Sequence, residues 1–301
     1  MRLGLPYNRN FEEALETMRV AIQGELGSFS HEAALRVVAE ATILPCAVSR
    51  DVFAMVDEGR VDAAVIPIEN SLAGSVAEHY DLLLTHDVGI ESESLLRIRH
   101  NLIAMPGANL EGIERVYSHP VALAQCRSFF ANHPRMEAIP FYDTAGSVKH
   151  LMEQRDLKVA GVASAQAAKH YGGEILASGI EDNPENYTRF FLIRKRGAVK
   201  IDSRPDKVSL AFTVENRPGT LVAALEVFAN QGTNLTRIES RPVQGRPWEY
   251  VFYADYQLLS PETADAALKL LAEHCSMVKE LGRYKAGTRS PGDSAPGAVA
   301  G

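Results

Sequence analysis

The feature that most constrains the fold is the run Ala63-Ala64-Val65-Ile66-Pro67-Ile68, which is apolar throughout and stops abruptly at Glu69-Asn70-Ser71. A strand with one wet face alternates polar and apolar side chains, whereas a strand buried on both faces does not. The run is therefore read as a buried parallel strand, followed by a polar loop and a helix. The same rhythm recurs along the first two thirds of the chain. Residues 18–23 form a short apolar strand before a helix over 29–41, capped by Ser28 or Ser30, with Ala33, Ala34, Val37 and Val38 at helical spacing. Val116-Tyr117 leads through Ser118-His119-Pro120 to a helix over 121–130. Phe141-Tyr142 leads through Asp143-Thr144 to a helix ending near Gln154, and 159–162 leads through Ala163-Ser164 to one ending near His170. Strands alternating with helices predict an α/β fold. In such sheets ligands gather at the carboxyl ends of strands, where helix N-termini present free N–H groups. Any one Ser, Thr or Asn in these loops is accounted for as a helix cap; four such loops together point to an anion pocket.

After Ser203-Arg204-Pro205-Asp206 the pattern changes. Residues 208–214 alternate as a strand, and 218–229 read as a helix with Pro218 in its first turn. Residues 234–240 and 248–256 read as strands joined through Gly245, 261–274 as a second helix and 278–284 as a closing strand. The order βαββαβ is the ferredoxin-like α+β arrangement. From about residue 286 the chain is rich in Gly, Pro, Ser and Ala and is expected to be a disordered tail (286–301). Residues 1–18 read as a leader outside the main fold.

Composition narrows the function classes. A chain of 301 residues suits two domains, and its net charge of −7 disfavours nucleic acid, which needs a basic face. Cys46, Cys126 and Cys275 show no metal-binding or disulfide spacing, and no His/carboxylate pattern suggests a metal. No apolar run approaches a membrane span, and the polar start of the chain lacks a signal core; a cytoplasmic location is expected.

Five motifs occur in a fixed order: Gly24-Glu25-Leu26-Gly27-Ser28-Phe29-Ser30, Pro67-Ile68-Glu69-Asn70-Ser71-Leu72-Ala73-Gly74-Ser75-Val76, Ser118-His119-Pro120-Val121-Ala122-Leu123-Ala124-Gln125-Cys126, Asp143-Thr144-Ala145 and Asn186-Tyr187-Thr188-Arg189-Phe190. Together they resemble prephenate dehydratases over about residues 19–284. The resemblance implies a catalytic domain (19–197) of two α/β lobes, like type II periplasmic binding proteins, with the site in the cleft. It implies loss of carbon dioxide and water from prephenate to give phenylpyruvate, without metal or organic cofactor. The segment before the first motif is too short for the helical chorismate mutase domain of bifunctional relatives, so a monofunctional enzyme is expected.

The resemblance places Thr188 as general acid, with Arg189 and Phe190 beside it. Asn70, Ser71, Ser118, Gln125, Thr144 and Ser164 are the expected substrate contacts. A threonine hydroxyl is intrinsically a poor acid and serves only where neighbouring donors share the developing charge in a desolvated cleft. Arg189 is a source of field or a structural tie, and Glu69 either orients its loop or is a solvated carboxylate. His31 and His119 read as residues of helix starts. At the C-terminus, Asn216, Gly219, Thr220, Leu221 and Val222, with Glu239, Ser240, Arg241 and Pro242, resemble the ACT motifs that hold phenylalanine between paired regulatory domains (206–284). Thr220 stands where the usual motif has Ala. A homodimer or homotetramer is expected. Two other readings stay open: arogenate as substrate, giving phenylalanine directly, and a non-catalytic amino-acid sensor.

Overall fold

The computed structural model describes residues 17–243, 245–246 and 248–289. Most of the expected leader and residues 290–301 of the expected tail lie outside them. The first lobe begins with β1 (Arg19–Gln23), α1 (Phe29–Val37), β2 (Thr42–Cys46), α2 (Ser49–Asp57), β3 (Ala63–Asn70), β4 (Gly74–Ser75), α3 (Ala77–Thr85) and β5 (Val88–Arg97). The second lobe contains β6 (Asn101–Ala104), β7 (Arg115–Ser118), α4 (Pro120–Ala124), α5 (Arg127–Asn132), β8 (Glu137–Pro140), α6 (Thr144–Gln154), β9 (Val159–Ala163), α7 (Ala165–Tyr171) and β10 (Glu174–Ser178). The chain then returns to the first lobe as β11 (Tyr187–Lys195).

The lobes share one plan. The first sheet runs β2-β1-β3-β11-β5, with β4 pairing β3; β1, β2 and β3 are parallel, and β11 enters antiparallel to β3 and β5. The second runs β10-β6-β9-β7-β8, with β7, β8 and β9 parallel and β6 and β10 antiparallel. The buried run 63–68 is thus parallel to β1 on one side and antiparallel to β11 on the other. Two crossings, residues 98–100 and 179–186, join the lobes. They hold each other through Ile98 N–H to Asn186 O (2.7 Å) and Ile180 N–H to His100 O (2.9 Å).

Several local expectations need correction. The helix after Ser28 ends at Val37, not at residue 41, because Val38 is already extended; Ser28, not Ser30, is its cap. The helix expected over 121–130 is two short helices broken at Gln125-Cys126. Phe141-Tyr142 is not a strand, since β8 ends at Pro140. Pro218 lies before its helix rather than within it.

The C-terminal unit comprises β12 (Lys207–Thr213), α8 (Thr220–Asn230), β13 (Leu235–Pro242), β14 (Tyr250–Gln257), α9 (Pro261–His274) and β15 (Met277–Tyr284). Its sheet order β13-β14-β12-β15, all antiparallel, is the ferredoxin-like one. One face packs on α8 and α9 through Leu210, Phe212, Phe228 and Leu271. The other continues the core of the first lobe: Ala211, Val251, Tyr253, Leu281 and Tyr284 join Phe53, Ile66, Leu83 and Phe191 in one buried cluster. β15 lies so close to β5 that a Cβ at Gly282 would overlap the Ile90 carbonyl. Residues 286–289, expected in a disordered tail, are tied down. Ala286 N–H donates to Asp206 (2.6 Å), Gly287 N–H to Glu93 (3.0 Å) and Arg289 to Glu185 (2.9 Å).

Candidate active site

A cavity of about 540 Å³ lies between the two lobes. Three helix starts reach its wall: Ser28-Phe29-Ser30 of α1, His119, Val121 and Ala122 of α4, and Asp143-Thr144 of α6. Each exists because the local sequence caps it. Ser28 Oγ accepts from His31 N–H (3.3 Å), His119 Nδ1 from Val121 N–H (3.3 Å) and Asp143 from Gly146 N–H (2.8 Å). Among the described residues that line the cavity none is Lys or Arg. An anion here is met by backbone N–H groups, helix dipoles and neutral side-chain donors.

The lobes close on each other at two places. Ser164 Oγ donates to Gly27 O (2.7 Å), where Gly27, at φ 85°, lies against α7; a Cβ there would sit 2.8 Å from Ala167 Cα. At the mouth, Glu25 of the first lobe receives Tyr142 (2.9 Å) and Lys149 (3.2 Å) of the second. Partial desolvation at the mouth, reinforced by this bond to Glu25, raises the pKa of the Tyr142 phenol, although its ring stays largely exposed. Burial also raises the Asp143 carboxyl, opposed by the Gly146 amide.

The structure brings Asn70, Gln125, Thr144, Thr188 and Phe190 to the cavity wall. Thr188 is buried, and its Oγ1 accepts from Asn70 Nδ2 (2.9 Å). Asn70 stands on β3 directly opposite Thr188 on β11. It faces the cleft because of a β-bulge: the register shifts opposite Ile68, so the side-chain alternation skips a place. Pro67 and Asn70 line the cavity, while Ile68 joins the core shared with the C-terminal unit and Glu69 reaches Arg237 there (3.0 Å).

Four expected site residues do not line the cavity. Ser118 is buried and donates to Val162 O (2.6 Å); Ser164 caps α7 besides holding Gly27. Ser71 bridges to the second crossing, donating to Glu185 O and accepting Tyr187 N–H (both 3.0 Å). Arg189 leaves β11 on the face opposite Thr188. Its guanidinium reaches Glu93 (2.6 Å), Asp255 (2.6 Å) and Tyr284 (3.0 Å), all buried at the junction with the C-terminal unit. The hydroxyl groups are helix-cap and strand-tie chemistry, and Arg189 is a junction residue by strand alternation.

Sequence reasoning missed His100 and Asn186. His100 lines the cavity and meets Gln125 Oε1 through Nε2 (2.8 Å), and Asn186 Nδ2 donates to the same oxygen (2.9 Å). Asn186 opens one of the five motifs; His100 belongs to none and carries no local signal. Glu69 is an ion-pair residue rather than a solvated carboxylate. His31 is buried, accepts Gly27 N–H (2.8 Å), and has its pKa lowered by burial.

The ACT-like residues divide by side. Along β13, Arg237, Glu239 and Arg241 face the first lobe, and Thr236, Ile238, Ser240 and Pro242 face outward. Glu239 meets Ser75 and Arg237, and Arg241 makes a two-point contact with Asp81 (2.8 and 3.1 Å). Gly219 caps α8, Thr220 Oγ1 donates to Glu215 O (2.6 Å), Leu221 packs inward, Val222 is exposed, and Asn216 meets Trp248 O (3.4 Å).

Among the described residues no helix is long and apolar enough to cross a membrane, and no group of three or more His, Cys, Asp or Glu could hold a metal. Residues 20–198 match the family model for prephenate dehydratase and 208–255 that for the ACT domain. The chain is 39% identical over 282 residues to arogenate dehydratase/prephenate dehydratase 2, chloroplastic, of Arabidopsis thaliana, covering 90% of this chain and 74% of that one. A solved prephenate dehydratase from Arthrobacter aurescens in complex with L-Phe superposes with a TM-score of 0.82 at 32% identity, covering 94% of this chain and 93% of the other. A protein described as a novel type of quorum-quenching acylase, GqqA, superposes equally well (TM-score 0.82, 33% identity, 92% and 100% covered). With five ordered motifs, a two-lobed cleft and a ferredoxin-like unit fused behind it, the chain belongs to the prephenate dehydratase family and carries that family's ACT domain.

Proposed function

We propose that the cleft removes the ring carboxylate and ring hydroxyl of prephenate, giving phenylpyruvate, carbon dioxide and water. The observation that carries this reading is the buried Thr188 hydroxyl on the cavity wall, accepting a hydrogen bond from Asn70 Nδ2. Asn70 occupies a lone pair of Oγ1 and leaves the hydroxyl hydrogen for the departing ring oxygen. As the ring C–O bond breaks, the C–CO₂ bonding pair enters the ring and makes it aromatic; the ring oxygen leaves as water. Asn70 offsets the charge that develops on Oγ1, which is what an intrinsically weak acid requires. The N-termini of α1, α4 and α6 and the amide of Gln125 hold the carboxylates. A positioned acid of this kind contributes typically 10²–10⁴-fold.

Arogenate is the second reading, favoured by one feature. The cavity wall carries the carboxyl groups of Glu25 and Asp143 and, among the described residues, no lysine or arginine, a setting that suits a side-chain ammonium. Turnover of each substrate by the purified protein, with and without chelator, tests both. Conversion of either in chelator is the expected result; turnover of neither by folded protein removes the enzyme reading.

The C-terminal unit serves as a phenylalanine sensor in this reading, lowering activity when the effector binds. The outward row of β13 and the exposed Val222 supply a surface on which a second copy pairs, giving a homodimer or a homotetramer. In this reading the enzyme works in the cytoplasm.

A further inference from the structure

Two buried polar residues beside the cavity have no role in the account above. Asn186 is fully buried and His100 is 2% exposed. They sit on the two opposite crossings between the lobes. Their side chains join the cavity amides in a chain whose donor and acceptor sense can be worked out from one end. Asn70 Oδ1 accepts from the Leu72 and Ala73 backbone amides (3.1 and 2.8 Å), which can only donate. Asn70 Nδ2 therefore lies on the other side, donating to Asn186 Oδ1 (2.7 Å) and Thr188 Oγ1 (2.9 Å). With its oxygen engaged, Asn186 donates from Nδ2 to Gln125 Oε1 (2.9 Å). That same oxygen receives His100 Nε2 (2.8 Å), so the imidazole carries its proton on Nε2.

We propose that Asn186 and His100 are positioning residues that set the donor polarity of the cavity, holding the Gln125 amide nitrogen and the Thr188 hydroxyl hydrogen toward the substrate. The proposal rests on Thr188 being the proton donor. A carboxamide turns over easily unless both its ends are constrained. Reversed, Gln125 would present a carbonyl oxygen to an anionic substrate instead of an N–H. Two donors on Oε1, arriving from different crossings, prevent that reversal. Asn186 acts at both ends of the chain, since its oxygen also anchors the Asn70 amide that polarises Thr188. Burial lowers the His100 pKa, so the imidazole is neutral and adds no charge to the wall. Because Gln125 belongs to the second lobe and Asn70 and Thr188 to the first, the polarity is complete only while both crossings hold the lobes in register.

The test is steady-state kinetics of full-length variants across pH, using whichever of the two substrates the protein turns over. In Asn186→Asp the new carboxylate accepts from Asn70 but cannot donate to Gln125. We expect kcat/KM to fall by roughly 10–10²-fold at neutral pH. The deficit relative to wild type should shrink as pH falls and the carboxyl, once protonated, regains a donor. Glu181, which accepts the His100 amide, and Asp182, which accepts those of Arg127 and Ser128, are present in both proteins, and the comparison cancels them. His100→Leu should lose roughly 10-fold, and His100→Gln, which restores an N–H donor, should recover most of it. Thr188→Ala separates the two levels: near-wild-type activity in that variant sinks the acid assignment itself. An inactive Thr188→Ala beside an Asn186→Asp that matches wild type at every pH overturns the positioning proposal alone. If the buried carboxylate prevents folding, the His100 pair decides, and equal rates for its Leu and Gln variants overturn the proposal.

Discussion

Thr188 shows how little a residue's own chemistry says about its role. Its hydroxyl is no stronger an acid than that of any other threonine, and Tyr187 to Phe191 reads locally as an ordinary strand. What distinguishes it is the Asn70 amide 2.9 Å away. Thr188→Ala is expected to lower kcat by about 10²-fold or more, and Thr188→Ser to retain more, because the hydroxyl remains; single-substrate kinetics on the three proteins is the check. His79 makes a different prediction. It is fully buried beside Phe53, and its ring contacts Ser49 Oγ and Pro67 O. Burial lowers its pKa below the ordinary 6.5. Between the lowered value and 6.5 the unfolded chain takes up a proton that the native protein does not. Stability conferred by the neutral ring is therefore present above 6.5 and lost as pH falls below it. The melting temperature of wild type should drop more steeply from pH 7 to 5 than that of His79→Gln. His31 and His100 have the same sign and Asp143 the opposite one, and all three are common to both proteins. Parallel curves would contradict the assignment.

At the scale of elements, one bulge does the decisive positioning. Strict alternation along β3 would turn Glu69 toward the cleft with Pro67 and send Asn70 away. The extra residue at Ile68 reverses this, so Asn70 meets Thr188 on one face and Glu69 meets Arg237 on the other. β11 repeats the division with Thr188 inside and Arg189 at the junction. Asn70 and Thr188 thus each have a sequence neighbour bound to the C-terminal unit: Glu69 through Arg237, Arg189 through Asp255. The first contact lies on the inner row of β13 and the second on the neighbouring β14, where Asp255 pairs with Arg237, beside the residues we propose for effector binding. Arg237→Ala should raise the phenylalanine concentration for half-inhibition by roughly 5–10-fold while leaving uninhibited turnover near wild type, within the usual range of coupling energies. Inhibition curves on full-length protein measure it, and an unchanged curve would show that coupling runs elsewhere.

At the scale of the molecule, the C-terminal unit is part of the catalytic core rather than a tethered module. Tyr253, Leu281 and Tyr284 are buried against the first lobe, and Lys279 donates to the Leu83, Leu84 and His86 carbonyls at the end of α3. Excision would bare that apolar face, so effector binding is best measured on the whole chain. The outward row of β13 is the surface on which we propose that a second copy pairs. Ile238→Lys is expected to shift the protein toward monomer in sedimentation velocity and to weaken phenylalanine binding in calorimetry. A variant that sediments as wild type would place the pairing surface elsewhere.

The sequence by itself determined what depends on neighbours along the chain. Apolar periodicity marked β3, β9 and the βαββαβ order, and the polar loops after the strands were legible as helix starts, although only the structure chose Ser28 over Ser30 as the cap of α1 and showed Asp143 as the cap of α6. The ordered motifs carried the family and drew attention to Thr188, Asn70 and Gln125. Tertiary structure alone decided which polar residues share a wall. Ser118 and Ser164 satisfy backbone carbonyls, Arg189 serves the junction, and His100, outside every motif, stands against Gln125. These outcomes turn on a bulge, on strand alternation and on two crossings that bring together residues distant in the chain. Such placement is set by the packing of whole lobes, and no local pattern encodes it.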